Sequence, residues 1–73
     1  MDLGKTLREL RTEKNILQKE VAAYLQVSMG TISNYENNVH APDPETLCKL
    51  ADLFQVSLDY MLGRCPDRNH PYR

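Results

Sequence analysis

The chain has 73 residues, of which 41% are hydrophobic and 26% charged, and its formal net charge is −1. This length accommodates one small domain, and the balanced composition excludes a disordered chain. No apolar run approaches the ~20 residues of a membrane span, and the N-terminus lacks the apolar segment of a signal peptide. The sequence therefore predicts a cytoplasmic protein with no membrane partner.

Two helices are predicted in the first third of the chain. Leucines at helical spacing indicate a first helix from Leu3 to about Lys14, ended by Asn15. A second apolar stripe that includes Val21 predicts a helix from Gln18 to Leu25. Its N-cap position is occupied by Leu17, which has no side-chain oxygen. We therefore expect packing rather than capping to hold the second helix.

A sharp corner and a third helix follow. Ser28 is a favourable N-cap for a helix that runs to about Asn37. At the corner before it, we expect Val27 to enter the core. A left-handed conformation at Gln26 would cost on the order of 1 kcal/mol. Residues 38–42 lack periodicity and are predicted to form a loop, in which Asn38 is an acceptable left-handed residue.

The last two helices begin with strong start signals. Asp43 followed by Pro44 is typical of a helix start, and the inward face of this fourth helix is expected to include Cys48. Ser57 caps a fifth helix from Leu58 to Leu62, which Gly63 ends. With no strand signal, the sequence predicts an all-α fold. We expect a compact five-helix orthogonal bundle over residues 1–63, with a helix-turn-helix in it, and a short flexible tail at 64–73.

No signature of catalysis or metal binding is found. Cys48 and Cys65 are too few for a disulfide framework, and Cys65 with His70 would supply only two metal ligands. The histidines, His40 and His70, are not accompanied by a nucleophile and a base. We therefore predict no metal site, no cofactor, no catalytic residues and no enzymatic activity.

The charged residues are unevenly distributed. Residues 1–38 carry five basic and five acidic side chains, whereas residues 43–62 carry four acidic side chains against Lys49. The net charge argues mildly against a nucleic-acid partner, because such domains are usually basic. The excess acidity, however, lies away from the third helix.

Five motifs in order and at matching spacing resemble the lambda-repressor-like helix-turn-helix family, of XRE and Cro type. They cover about Leu7 to Gly63 and read Leu7-x-x-Leu10-Arg11, Gln18-x-x-Val21-Ala22-x-x-Leu25, Val27-Ser28-x-x-Thr31-Ile32-Ser33-x-Tyr35-Glu36-Asn37, Pro42-x-x-Glu45-Thr46-Leu47-x-x-Leu50-Ala51 and Phe54-x-Val56-Ser57-Leu58-Asp59-x-x-Leu62-Gly63. The resemblance implies a sequence-specific DNA-binding transcriptional regulator, with repression favoured. Its implied partners are a double-stranded, palindromic DNA operator and a second copy of the chain. From the short length of the chain we expect no small-molecule effector domain.

The resemblance also implies a binding site. In this family the third helix lies in the major groove, and the second helix crosses the DNA backbone. The implied DNA-contacting positions are Gln18, Ser28, Met29, Gly30, Thr31, Asn34 and Asn37. Gln18 and Asn37 would contact the DNA backbone, and Arg11 with Glu36 would form a structural ion pair. The third helix contains no Arg or Lys, so it cannot make the common Arg–guanine contact.

Two alternatives stay open from sequence. The chain could be an antitoxin-like or antirepressor-like protein-binding module, which its near-neutral charge favours. Independently of that alternative, Met29 could be a surface-packing residue, Gly30 a tolerated glycine in an exposed first turn, Asn34 a solvated helix residue and Gln18 merely a good helix former. A dimer seam at Leu58, Met61 and Leu62 is expected on the last helix, unless these residues only close the monomer core.

Overall fold

The structure, a computed structural model, describes residues 2–64. Within this range it has five α-helices and no strand: α1 (Leu3–Glu13), α2 (Gln18–Leu25), α3 (Met29–Glu36), α4 (Pro44–Phe54) and α5 (Leu58–Met61). The predicted all-α class is confirmed. None of these helices is long and apolar enough to cross a membrane.

The chain divides into two compact units, one from Asp2 to Ala41 and one beginning at Pro42. That residues 1–63 form one orthogonal bundle stays a prediction. The predicted tail beyond Arg64, with Cys65 and His70, lies outside the described residues.

In the first unit, α3 packs against both α1 and α2. The residues at this junction are apolar, and each is less than 5% exposed. They are Leu7, Leu10, Val21, Ala22 and Ile32. Because these residues recur three or four positions apart, each helix presents one apolar face. The opposite face of α3 is therefore left accessible.

The start of α1 lies against the end of α3. A side chain at Gly4 would collide with the backbone of Glu36, since its Cβ would lie 2.7 Å from the carbonyl carbon. The Gly4 N–H donates to Asn38 Oδ1 at 3.0 Å, and Asn38 Nδ2 donates to Asp2 Oδ1 at 2.7 Å. Asn38 has a φ of 62°, so the predicted left-handed conformation is confirmed there. Gly4 is thus a packing residue that the sequence reading did not identify.

The two helix corners have the same backbone conformation, but the valine at each corner is buried to a different extent. Gln26 and Gln55 are both left-handed, with φ of 59° and 57°. Val56 is buried at 2% exposure, whereas Val27 is 37% exposed. The prediction that Val27 enters the core is therefore wrong. The local sequence sets the turn, but burial depends on what packs over it.

In the second unit, α4 packs against α5. Asp43 caps α4 by accepting from the Thr46 N–H at 2.9 Å, and Ser57 caps α5 through the Tyr60 N–H at 3.0 Å. Cys48 is exposed, so its predicted burial is wrong. It precedes the buried Leu50 by two residues, which places it on the other side of a helix with about 3.6 residues per turn.

The last helix corrects part of the predicted dimer seam. Met61 has no exposed surface, whereas Leu58 and Leu62 are half-buried. Met61 therefore contributes to the core of the chain and is not available to a second copy.

Candidate nucleic-acid interface

The accessible face of α3 carries the four positions predicted to face bases. Met29 is 52% exposed and Gly30 is exposed, while Thr31 and Asn34 are half-buried. Asn34 carries a side-chain amide, which can both donate and accept hydrogen bonds. The buried residues of the same helix, Ile32 and Glu36, point the other way because a helix separates its faces by position.

Ser28 fixes the first turn of α3. Its Oγ accepts from the Thr31 N–H at 3.1 Å and lies 3.0 Å from the Thr31 Oγ1. This satisfies one of the N–H groups that a helix start leaves without a partner. Ser28 is therefore the N-cap of α3, as predicted, and the same side chain is one of the residues predicted to contact DNA.

A buried carboxylate connects all three helices of this unit. Glu36 is 5% exposed, and its Oε2 accepts from Arg11 Nε at 2.6 Å. The other oxygen, Oε1, accepts from Arg11 Nη2 at 3.3 Å and from Gln18 Nε2 at 3.1 Å. The structure thus brings Arg11 and Glu36 into contact and orients Gln18 through the same carboxylate. The second amide hydrogen of Gln18 is left for another acceptor.

Asn37 lies just after α3 and is also oriented by side chains. Its Oδ1 accepts from Arg8 Nη2 at 2.8 Å, and its Nδ2 donates to Ser33 Oγ at 3.2 Å. Arg8 Nε lies 3.8 Å from Glu36 Oε1, and the Arg8 side chain is 53% exposed. Arg8 therefore combines a solvent-facing guanidinium with a positioning contact that the sequence reading did not identify.

The start of α2 is capped in a way that the sequence reading overlooked. The Leu17 N–H donates to Glu20 Oε1 at 2.7 Å. The expectation that α2 lacks capping is therefore wrong, although the Leu17 side chain itself caps nothing. A Glu three residues after the N-cap is the reaching half of a capping box, and this spacing could have revealed the contact.

A shallow groove runs between the ends of these helices. It is lined by Arg11, Leu17, Gln18, Lys19 and Met29. We call it the α2–α3 groove. The charge of Arg11 is paired with the Glu36 carboxylate, so Lys19 is the cationic lining side chain that this groove offers to an anionic partner. Among residues 2–64, no group of three potential metal ligands lies together.

Comparison with known proteins places the chain in a helix-turn-helix family. Residues 7–61 match the family model described as helix-turn-helix. The chain is 45% identical over 64 residues to the HTH-type transcriptional regulator ImmR of Bacillus subtilis, covering 88% of this chain and 50% of that protein. It is 36% identical over 63 residues to the HTH-type transcriptional activator BcrR of Enterococcus faecalis, covering 86% of this chain and 31% of that protein. The chain thus spans half or less of these relatives.

One solved structure is similar to this chain over nearly the whole length of the solved chain. It is the P22 c2 repressor in complex with a synthetic operator, with a TM-score of 0.81 and 29% identity. The similarity covers 89% of this chain and 98% of that one. Together with the match over residues 7–61, this similarity shows that the chain belongs to the lambda-repressor-like helix-turn-helix family.

Proposed function

We propose that the chain is a sequence-specific DNA-binding transcriptional regulator that reads the major groove with α3. The observation that carries this proposal is the accessible face of α3, where Met29, Gly30, Thr31 and Asn34 lie together. The family is one of DNA-binding regulators and not a class of enzymes, in agreement with the prediction that this domain is not an enzyme. We favour repression, because operator occupancy alone can block transcription.

The proposed contacts are of two kinds, contacts with bases and contacts with the DNA backbone. Asn34 would form two hydrogen bonds with adenine N6 and N7, and Thr31 would contact a base through its hydroxyl or methyl group. Gln18, held by Glu36, would donate its second amide hydrogen to a phosphate. Asn37, which lies just after the end of α3, would contact the DNA backbone. Ser28 would contribute indirectly by fixing the first turn.

We further propose that the chain binds a palindromic operator as a homodimer, in the cytoplasm. One helix-turn-helix unit contacts only a half-site, and two-fold dimers bind half-sites one helical turn apart. Leu58 and Leu62 are the half-buried residues of the expected seam that remain available.

A protein-binding module is the second candidate. Exposed apolar side chains favour it, since Tyr24 is 49% and Val39 61% exposed. Such residues are common singly on soluble proteins, and those two lie outside the α2–α3 groove. DNA binding explains more, because it also uses Lys19 in that groove and the accessible face of α3.

Binding to duplex DNA at several salt concentrations separates the two candidates. We expect affinity to fall linearly on a log–log plot, with a slope of about −0.9 for each phosphate neutralised. Lys19→Ala should make that slope shallower by about one unit if Lys19 neutralises one phosphate. Lys49→Ala, which removes a lysine from the acidic part of the chain, serves as the control. Absence of duplex binding at low salt would overturn the proposal in favour of the protein-binding module.

A further inference from the structure

We propose that Asn38 is a positioning residue of the DNA-binding site, because its side chain attaches the end of α3 to the start of α1. Asn38 directly follows Asn37, so this attachment holds Asn37 in place for its contact with the DNA backbone. The inference rests on the proposed DNA-binding function and adds to it a side chain that acts without touching DNA itself.

The Asn38 side chain makes two hydrogen bonds to the start of α1. Its Oδ1 accepts from the Gly4 N–H at 3.0 Å, and its Nδ2 donates to Asp2 Oδ1 at 2.7 Å. The same Asp2 oxygen accepts from the Lys5 N–H at 2.9 Å and so caps α1. Asn38 and Asp2 therefore satisfy two of the N–H groups that a helix start leaves without a partner, and Asn38 does so from 34 positions away.

The attachment is close and involves the backbone of α1. A Cβ at Gly4 would lie 2.7 Å from the Glu36 carbonyl carbon and 2.8 Å from Asn38 Oδ1, so the end of α3 lies directly against α1. One partner of Asn38 is a backbone N–H, which has no rotamers. The neighbouring contact of Asn37 depends instead on the Arg8 side chain, which is 53% exposed. We therefore assign the position of the α3 end to Asn38 and not to Arg8.

The left-handed turn alone does not require asparagine at this position. Asn38 has a φ of 62°, a conformation that glycine adopts without steric cost and that asparagine tolerates. What asparagine supplies and glycine cannot is the pair of hydrogen bonds to α1. The substitution Asn38→Gly therefore removes the attachment and keeps the turn.

The affinity of Asn38→Gly for operator DNA tests the attachment. The full chain and the variant are titrated against the duplex that the unaltered chain selects, at a temperature where unfolding curves show both to be folded. We expect the dissociation constant of the variant to rise about two- to tenfold, the range that corresponds to one net hydrogen bond. Asn15→Gly makes the same change at another left-handed residue, with a φ of 59°, and should leave the affinity unchanged.

Two further comparisons distinguish positioning from a purely structural role. If Asn38 acts through Asn37, Asn38→Gly should have little further effect on affinity in an Asn37→Ala background, because residues that act together are not additive. Asp2→Asn and Asp2→Ala remove the same charge, but only Asp2→Asn keeps an acceptor for Asn38 Nδ2 and for the Lys5 N–H. Asp2→Ala should therefore bind the operator more weakly than Asp2→Asn.

The outcomes separate the role of Asn38 from the broader proposal. Unchanged operator affinity in Asn38→Gly would overturn the positioning role. The same holds if Asn38→Gly weakens binding to its full extent in the Asn37→Ala background, or if the two Asp2 variants bind equally. Each of these results leaves the DNA-binding proposal intact, because the unaltered chain still binds its duplex. An unaltered chain that does not bind duplex DNA at all would overturn both.

Discussion

At the residue scale, Glu36 links the stability of the first unit to its proposed DNA contact. Its carboxylate is buried, and its hydrogen-bond donors are Arg11 and Gln18. A buried ion pair adds little net stability compared with apolar residues, but losing one partner leaves a charge without compensation. The same carboxylate orients the amide proposed to hold phosphate.

We expect Arg11→Ala and Glu36→Ala each to lower the free energy of unfolding by about 3–5 kcal/mol, because each leaves a buried or partly buried charge unpaired. Arg8→Ala is the matched control, since the Arg8 side chain is 53% exposed and lies 3.8 Å from Glu36. Thermal or urea unfolding measures all three. Small and equal losses would show that the Arg11–Glu36 pair has no special role in stability.

The two helical glycines of the first unit should respond to alanine in opposite directions. Gly4→Ala would force a Cβ into the backbone of Glu36, and overpacking of this kind costs about 1–3 kcal/mol. The Cβ of Gly30→Ala would meet only Ser28 Oγ, at an ordinary contact distance of 3.7 Å, so replacing this helical glycine should stabilise by roughly 0.5–1 kcal/mol. Urea denaturation distinguishes the two. A stable Gly4→Ala variant would mean that α1 and α3 do not approach as closely as described.

At the element scale, the helices and their ends were largely readable from sequence. The start signals at Ser28, Asp43 and Ser57 act as caps, and the end signals at Asn15 and Gly63 have positive φ. These signals are local, because each cap joins residues three positions apart. Local sequence therefore predicted the helix bounds to within one or two residues.

Burial and side-chain contacts between helices were less predictable. Val27 and Cys48 were expected in the core and are exposed, since burial depends on distant packing. The contacts of Gly4 with Glu36 and of Arg8 with Asn37 join residues about thirty positions apart. The positions of the candidate site came from resemblance to a family, whereas the orientation of Gln18 and Asn37 required the structure.

The cap of α4 should make stability depend on pH. Hydrogen bonds from the Thr46 side chain and backbone lower the pKa of Asp43 in the folded chain. A lowered folded pKa means that the stabilisation is present above the unfolded pKa and is lost as pH falls through the folded pKa.

We therefore expect Asp43→Asn to lose less stability than the unaltered chain as the solution is acidified through that range. Asparagine still accepts a hydrogen bond as an N-cap but does not titrate. Asp52→Asn, on the exposed surface of the same helix, is the control and should follow the unaltered chain. Thermal unfolding across a pH series measures this. Parallel curves for Asp43→Asn and the unaltered chain would contradict the assigned cap.

At the scale of the whole molecule, the net charge of −1 limits non-specific attraction to DNA. Affinity must then come from well-placed contacts and from the use of two half-sites. A homodimer supplies a second helix-turn-helix unit for the second half-site, and linking two half-site contacts raises the overall affinity without new types of contact.

Sedimentation at micromolar concentration, with and without operator DNA, tests the assembly. We expect two chains on one palindromic duplex, and weaker assembly in a Leu58→Ser, Leu62→Ser double variant, because both side chains are half-buried and apolar. Met61 is not a suitable test residue, since it is fully buried within one chain. One chain bound to one half-site under all conditions would refute the dimer.

In the proposed complex, α3 reads base identity while Gln18 contacts the DNA backbone. This division of roles is tested by selecting bound duplexes from a random pool, with the unaltered chain and two variants. Asn34→Ala should lose preference at one base pair of each half-site, since a bidentate amide–adenine contact gives about 1–3 kcal/mol of discrimination. Gln18→Ala should weaken good and poor sites by similar factors and keep the consensus. An unchanged consensus for Asn34→Ala together with an altered one for Gln18→Ala would contradict the proposed groove geometry.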